Sequence, residues 1–417
     1  MITIFSWILG AIKIAIVLGT LITIHELGHF TVAKLCKVKV NKFSIGFGPT
    51  ILSKTSGDTE YTLKAIPFGG YVQMEGEEER SESEGAFNKK NVWQRIAIVL
   101  AGATVNIVFA LIIYFFIALS NNFYSSTKVS EINNGPLYDA GIMAEDNILK
   151  VNNKNVLTSR EIDEIIVNAK SDDFIFTINR DNENIDIPVK IEYAKIGYMG
   201  IMFADEKNVL YVVKNSPAEK AKILPGDIIE SVNGVEYLTT EETTEAIRNI
   251  KEAPISLMVS RSGEIINLTG ETTTQTQRYY MVAYYPLKPS FPQNIIYAID
   301  ETGYYFTATL NGMMEVLTGK AENVEVMGPI GIATEITKTS GLSNFFYLMS
   351  AISLSLGIFN LLPVPALDGG RIVILLIESI RRKPMKESIE QGLIIAGFGA
   401  IIILALFVTV ADVIKIF

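Results

Sequence analysis

The stretch TLITIHELGHFTVAKL, Thr20 to Leu35, holds both of the chain's histidines, His25 and His29, directly behind an almost wholly apolar run. On a helix, residues four apart are separated by about 400 degrees of turn, so the two imidazoles share one face with β-carbons about 6 Å apart. Such a pair can converge on one metal ion, and Glu26 stands beside the first of them. The pattern H-E-x-x-H joins two imidazole ligands to a carboxylate that acts as general base. Two histidines on an apolar helix are by default hydrogen-bonded core. Here an ionisable group at the end of an apolar segment, costly to bury without a function, turns the reading towards a metal site.

The surrounding chain is that of a membrane protein. Its 417 residues are 49% hydrophobic, and a helix needs roughly 20 apolar residues to cross the hydrocarbon core. Four windows satisfy that length: Ile2 to Ile24, Ile96 to Ser120, Asn344 to Leu367 and Gly392 to Ala411. The first has no basic leader and no small-residue cleavage site, so it is expected to be a span and not a removed signal. Lys13 interrupts it, and is expected to be an interior or snorkelling lysine. Lys and Arg gather between windows one and two (Lys34, Lys37, Lys39, Lys42, Lys89, Lys90, Arg95) and between three and four (Arg371, Arg381, Arg382, Lys383, Lys386). Both segments are therefore expected on the cytoplasmic side, with the long middle region outside.

A net charge of −9 argues against nucleic acid as a partner. The single cysteine, Cys36, leaves the outer domains without an internal disulfide. Residues 75 to 87, EGEEERSESEGAF, read as a solvated, mobile loop with no chemical role.

Between residues 122 and 275 the apolar runs shorten and the chain repeats itself. NGPLYDAGIMAEDNILKVNN from Asn134 aligns without a gap on NSPAEKAKILPGDIIESVNG from Asn215, so that Asp146 falls on Asp227 and Asn152 on Asn233. Two tandem copies of one small domain follow from that pattern. The Pro and short helix followed by Gly-Asp, apolar residues and Val-Asn-Gly resemble PDZ domains of the bacterial type. The second copy also carries GYMGI at Gly197, similar to that family's peptide-terminus loop, whereas the first has Glu145 and Asn153 where the second has Gly226 and Gly234. The resemblance implies binding or screening of extended chain ends, or, for the first copy equally, a folded spacer.

A catalytic zinc takes three protein ligands and keeps a position for water. NLLPVPALDGGR, Asn360 to Arg371, supplies a candidate third ligand in Asp368, at the same membrane depth as the histidines in the lysine-derived topology. Pro363 and Pro365 break a helix before it, and Gly369 and Gly370 are expected to free the backbone after it.

H-E-x-x-H together with N-x-x-P-x-P-x-L-D-G-G resembles the site-2 protease family of intramembrane zinc metalloproteases, in its bacterial branch of regulator of sigma-E proteases with tandem PDZ domains. FSIGFGP at Phe43, IPFGGYVQM at Ile66, AFNKKNVWQRIAIVLAG at Ala86 and MGPIGIA at Met327 extend the likeness over nearly the whole chain. The resemblance implies that His25, His29 and Asp368 hold one zinc ion, that Glu26 is the acid/base, and that Asn360 contacts substrate. Arg371, where relatives often have His, and AGATVN at Ala101, in place of a more usual Gly-Pro before Asn106, depart from the pattern. In this chemistry zinc brings the pKa of water to about 7, Glu26 takes its proton, and a peptide carbonyl is attacked.

The expected architecture is a multi-pass α-helical membrane protein, with four transmembrane helices and a membrane-associated β loop, carrying two inserted extracytoplasmic PDZ-like α+β domains. Its parts are residues 1–121 (helices one and two), 122–194 and 195–275 (the PDZ-like copies), 276–343 (an extracytoplasmic linker with amphipathic helices) and 344–417 (helices three and four). The expected location is the bacterial cytoplasmic membrane, with the active site near its cytoplasmic face. The expected partners are the lipid bilayer and, as the family resemblance implies, single-pass membrane proteins, anti-sigma factors or remnant signal peptides as substrates. Thr59 to Met74 is expected to pair with unwound substrate, a role that proline at Thr62 or Lys64 would disturb. The competing class is a catalytically inactive, membrane-anchored PDZ scaffold. A metal transporter fits less well, because one cluster at one membrane face forms no relay.

Overall fold

The computed structural model describes the chain except for Met1, Glu78, residues 121–124, Asn133, residues 204–206 and 214–215, Ser262, Tyr279, Met281, residues 287–289 and 319–326, Ser340 and Phe417. Asn215, where the second repeat block begins, lies outside the described residues. The chain divides into two compact units, one of residues Met1–Asn121 and Lys288–Phe417, the other Asn122–Leu287.

The first unit begins with α1 (Ile2–Leu35). It runs on well beyond the apolar window that ends at Ile24, so His25 and His29 lie inside the helix and not at its end. No proline or capping residue interrupts the run until Lys37, whose positive φ of 55° turns the chain. Next come β1 (Val40–Ser56) and β2 (Thr59–Met74), long strands that fold back on themselves. The first part of β1 is central: Phe43 pairs with both Val72 and Tyr61, and Ser44 with both Tyr71 and Thr62. The outer part of β1 pairs with the start of β2, as in Ser53 with Thr62 and Thr50 with Lys64. The expected β loop is thus a small sheet ordered 70–74, 40–45, 59–64, 50–56. Thr62 is paired on both sides, which corrects the expectation for it: proline there would break the sheet itself instead of an open edge. Among the described residues, the edge formed by Gly70 to Met74 is paired with β1 on one side only.

Helix α2 (Val92–Ser120) packs along α1. A β-carbon on Gly28 would lie 2.6 Å from the Ala101 carbonyl oxygen, so the two backbones touch there. In hydrocarbon there is no water to expel, and such close small-residue packing supplies the association that the hydrophobic effect supplies in water.

The second unit contains the two repeats. The first is β3 (Ser125–Glu131), α3 (Pro136–Asp139), β4 (Asn147–Val151), β5 (Lys154–Asn155), α4 (Ser159–Asn168), β6 (Asp173–Arg180) and β7 (Glu183–Lys190). The second is β8 (Tyr193–Tyr198), β9 (Ile201–Phe203), β10 (Val209–Val212), α5 (Pro217–Lys220), β11 (Ile228–Val232), β12 (Val235–Glu236), α6 (Thr240–Asn249), β13 (Pro254–Arg261) and β14 (Glu264–Glu271). After them come β15 (Thr273–Arg278), paired with β8, and β16 (Ala283–Pro286), paired with β3.

The repeat is physical. Thr158 with Glu161, and Thr239 with Glu242, form equivalent capping boxes on α4 and α6. The buried Asp146 and Asp227 accept from Arg180 and Arg261 respectively, and each carboxylate also takes a backbone N–H, from Met143 and Leu224. Asn152 and Asn233 hold matching positive-φ turns.

The copies differ in how they are closed. In the second, Met199, Ile201 and Phe203 complete its core. In the first, that place is taken by Tyr280, Val282 and Tyr284 from far down the chain, and Tyr284 pairs with Val129 as Phe203 pairs with Val209. Tyr280, Val282 and the strand β16 therefore belong to the first copy, and the boundary expected at residue 194 is corrected: the second copy is inserted into the first.

The first unit resumes with α7 (Phe291–Leu317), α8 (Pro329–Lys338), α9 (Leu342–Asn360), α10 (Asp368–Arg381) and α11 (Glu387–Ile416). Pro292 and the Ser290 capping box start α7. This helix packs on α2 and α9, so part of the expected linker is built into the bundle. Four stretches are long and apolar enough to cross a membrane: Ile8–Leu35, Val92–Leu119, Leu342–Asn360 and Ser388–Val410. The third stops at Asn360, short of Leu367, because Pro363 and Pro365 cannot continue a helix.

Lys13 finds a specific partner: its Nζ donates to the Thr339 carbonyl at 2.7 Å, just past the end of α8. At the other end of α8, Asp412 of α11 accepts from the N–H groups of Gly328 and Gly331. Each charge complements the helix-dipole end it faces.

Candidate metal centre

Inside the bundle, α1 brings His25 and His29 against α2, and the turn after α9 returns Asp368 to meet them. His25 Nε2 and His29 Nε2 are 3.1 Å apart. Asp368 Oδ2 lies 3.2 Å from the first and 3.4 Å from the second. These side chains are 11%, 12% and 16% exposed, so the cluster is nearly dry yet reachable.

The donor set fits zinc. A tetrahedral ion bound at 2.0–2.1 Å holds its ligand atoms about 3.3 Å apart, and the three separations fall around that value. Asp368 Oδ2 is buried with no partner in hydrogen-bond geometry, although two imidazole nitrogens face it. A cation among these three atoms would satisfy an oxygen that the protein alone leaves unpaired.

The scaffold explains how three side chains come so close. Gly102 of α2 faces the imidazoles: a β-carbon there would stand 2.4 Å from His29 Nε2 and 2.8 Å from His25 Cε1. His29 Nδ1 lies 2.9 Å from the Ile98 carbonyl oxygen, which orients the ring with Nε2 towards the cluster. Asp368 is the first residue of α10. Gly369 and Gly370 serve close packing, not unusual dihedrals. Their added β-carbons would meet the Leu361 and Val364 carbonyl oxygens at 2.2 and 2.1 Å, and neither has positive φ. A buried ion pair, Arg95 to Glu378 at 2.9 Å, ties α10 to α2.

Glu26 is half-buried beside β2, its Cγ 3.4 Å from where a Gly70 β-carbon would be. Glycine at 70 thus lets the sheet edge run next to the carboxylate. Asn360 is the last residue of α9, half-buried at the start of the turn that leads to Asp368.

Three features escaped the sequence reading. Glu77 forms an ion pair with Arg371, one turn beyond Asp368, and Arg80 donates to the Met385 carbonyl. The acidic stretch is therefore fastened to α10 and its neighbours, which corrects its reading as a solvated loop: a run of charge acquires partners that only tertiary structure supplies. The others are the glycine at 102 and the surroundings of Asn106. AGATVN held both residues in view, but their facing residues depend on how α1 and α2 are paired.

Two histidines and a carboxylate around one point, with a second carboxylate alongside, set in a bundle of apolar helices, define a membrane metallohydrolase. A family model for peptidase family M50 matches residues 13–405, and the chain belongs to that family, the site-2 proteases. It is a zinc metalloprotease. A regulator of sigma E protease from Haemophilus influenzae is 30% identical, with 97% of each chain covered. One of the same name from Salmonella typhi is 29% identical over 92% of this chain and 93% of its own. A Vibrio cholerae protein whose name proposes a zinc metalloprotease is 29% identical over 91% of this chain and 93% of its own. Among solved structures, the PDZ domain of HtrA3 bound to a phage-derived ligand is similar to 20% of this chain and 92% of its own, at 23% identity and a TM-score of 0.18.

Proposed function

We propose that this protease cuts peptide bonds within transmembrane segments of membrane proteins, with His25, His29 and Asp368 holding its zinc and Glu26 as general acid/base. The observation that carries the reading is the meeting of three donor atoms within 4.8 Å of one another, from the first helix and a turn more than three hundred residues later, next to a fourth ionisable side chain. Bound zinc would supply the Lewis acidity that makes water a nucleophile near neutral pH. Glu26 takes the proton of the attacking water and passes it to the departing amine. His29 is kept in place by Ile98, and Asp368 by the packed turn at Gly369 and Gly370.

A transmembrane helix hides its carbonyls in its own hydrogen bonds, so the scissile segment must be extended first. The edge Gly70 to Met74, beside Glu26, is suited to hold it, and Asn360 to contact it. The basic segments support an active site near the cytoplasmic face of a bacterial cytoplasmic membrane, with the PDZ-like copies on the other side. Of these, the second is the one suited to receive a chain end. A cavity of about 150 Å³ lies between its Gly197–Phe203 segment and α6. In the first, Tyr280 occupies the Met199 place and its hydroxyl donates to Asp163 of α4, bridging strand and helix from within. Suitable substrates are anti-sigma factors or remnant signal peptides, the classes that the family resemblance implies; relatives named regulator of sigma E protease accord with the first.

The test is zinc stoichiometry and cleavage of a model transmembrane peptide, for wild type and Glu26→Gln. One zinc in both, with cleavage reduced by at least about a hundredfold in the variant, supports the reading. Retained cleavage, or no zinc in the wild type, overturns it.

A further inference from the structure

Asn106 sits on α2, fully buried, with its carboxamide against the outer face of His25. The amide Nδ2 lies 3.3 Å from His25 Nδ1, and Oδ1 is buried with no hydrogen-bond partner. The other nitrogen of the same ring, Nε2, is the one that faces Asp368 and His29. A ring nitrogen that gives its lone pair to a metal leaves the proton on the other nitrogen, and that N–H then needs an acceptor. His29 has one in the Ile98 carbonyl oxygen. For His25, the side chain at Nδ1 among the described residues is the Asn106 amide.

The two orientations of a carboxamide are isosteric. With Nδ2 towards Nδ1, the amide would donate to a ring lone pair, the proton would sit on Nε2, and His25 would be closed to metal. Turned by half a revolution, Oδ1 accepts from Nδ1–H and Nε2 is free. No heavy atom moves appreciably. We infer that Asn106 is a positioning residue for the metal centre, its Oδ1 accepting from His25 Nδ1–H and so fixing the ring in the form that presents Nε2.

The fold holds Asn106 to this task. Ser353 of α9 donates to its backbone carbonyl at 2.9 Å, tying this turn of α2 to the helix that leads to Asp368. Ile98 and Asn106 are two turns apart on α2, and His29 and His25 one turn apart on the antiparallel α1. One helix thus provides the two imidazole ligands, and the neighbouring helix an acceptor for each. This inference rests on the reading of His25 as a ligand.

It is tested with the full chain in detergent, by zinc affinity in competition with a chelator, for wild type, Asn106→Asp, Asn106→Leu and Asn106→Ala. Outer acceptors typically govern metal affinity by about 10- to 100-fold, so the Leu and Ala variants should bind at least about tenfold more weakly. The Asp variant keeps an acceptor oxygen and should stay within about threefold, and it should retain the visible absorption of tetrahedral cobalt when cobalt replaces zinc. A purely structural role predicts the reverse order, because Leu fills the buried site without a charge and Asp does not. Leu binding zinc as wild type does, or Asp binding as weakly as Ala, overturns the inference. If Leu does not fold, as judged by the melting of the zinc-free chain, Ala carries the comparison. Absence of zinc from the wild type would instead overturn the metal-centre reading itself.

Discussion

Gly102 and His29 are in such close contact that a single methyl group on the glycine would lie 2.4 Å from the imidazole Nε2. The proposed metal centre therefore rests on a missing side chain as much as on those present. Gly102→Ala should displace both imidazoles and weaken zinc by at least about tenfold, the scale of a disturbed ligand orientation. Gly392→Ala in α11, where an added β-carbon meets nothing within 4 Å, is the matched control and should leave zinc unchanged. Equal zinc affinity in both variants would show that the rings do not need this space.

The sheet beside Glu26 has two unlike edges, and the Gly70 to Met74 edge runs next to this side chain, a Gly70 β-carbon falling 3.4 Å from Glu26 Cγ. A photoreactive residue at Gln73 should capture a model transmembrane substrate, whereas one at Ser53, on the opposite edge, should not. Both side chains are exposed, so access alone does not distinguish them. Equal capture at the two positions would exclude an edge-specific role.

The nesting of the PDZ-like copies makes a prediction about fragments. Residues 122–194 alone lack Tyr280, Val282 and Tyr284, three members of the first core, and should give no cooperative thermal transition. Residues 193–278 should melt cooperatively as a self-contained second copy, and residues 122–287 should contain both. A folded 122–194 fragment would contradict the nesting.

Asp227 supplies a pH dependence in the second copy. Burial works to raise its carboxyl, but the hydrogen bond from Arg261 and that from the Leu224 N–H outweigh it, so it titrates below the ordinary value of 3.8. A depressed carboxylate stabilises the fold fully above its unfolded pKa and loses that contribution as pH falls through the folded one. Melting of residues 193–278 should therefore be insensitive to this group near neutrality and fall off below pH 3.8. Arg261→Met, which strands the buried carboxylate, should cost about 3–5 kcal/mol at pH 7, measured by denaturant titration. A loss below about 1 kcal/mol would mark the pair as an ordinary surface one.

The sequence was most informative where chemistry is local. His25, Glu26 and His29 lie within five residues, and helix periodicity alone puts the histidines on one face. Asp368 was within reach because the placement of Lys and Arg put it at the same expected membrane depth as the histidines, and the resemblance to the family made it a ligand. What could not be read was whatever depends on the pairing of distant surfaces. Gly102 is one of 31 glycines, and nothing in its neighbourhood says that two imidazoles will lean on it. The place of Tyr280, Val282 and Tyr284 was masked because Arg278 stands where the second copy has Gly197, and Met281 where it has Gly200. Glu77 was submerged in a run of like residues whose partners come from α10.

The insertion of one PDZ-like copy within the other also orders events in time. During synthesis, the first copy emerges up to Ile191 and must then wait for some ninety further residues before the strand that closes its core is made. At 5–20 residues per second the delay is on the order of five to twenty seconds. Throughout it, the inner copy can complete itself while the outer one keeps an unfinished sheet edge at β3, open to rescue by a chaperone or to capture by a stray strand.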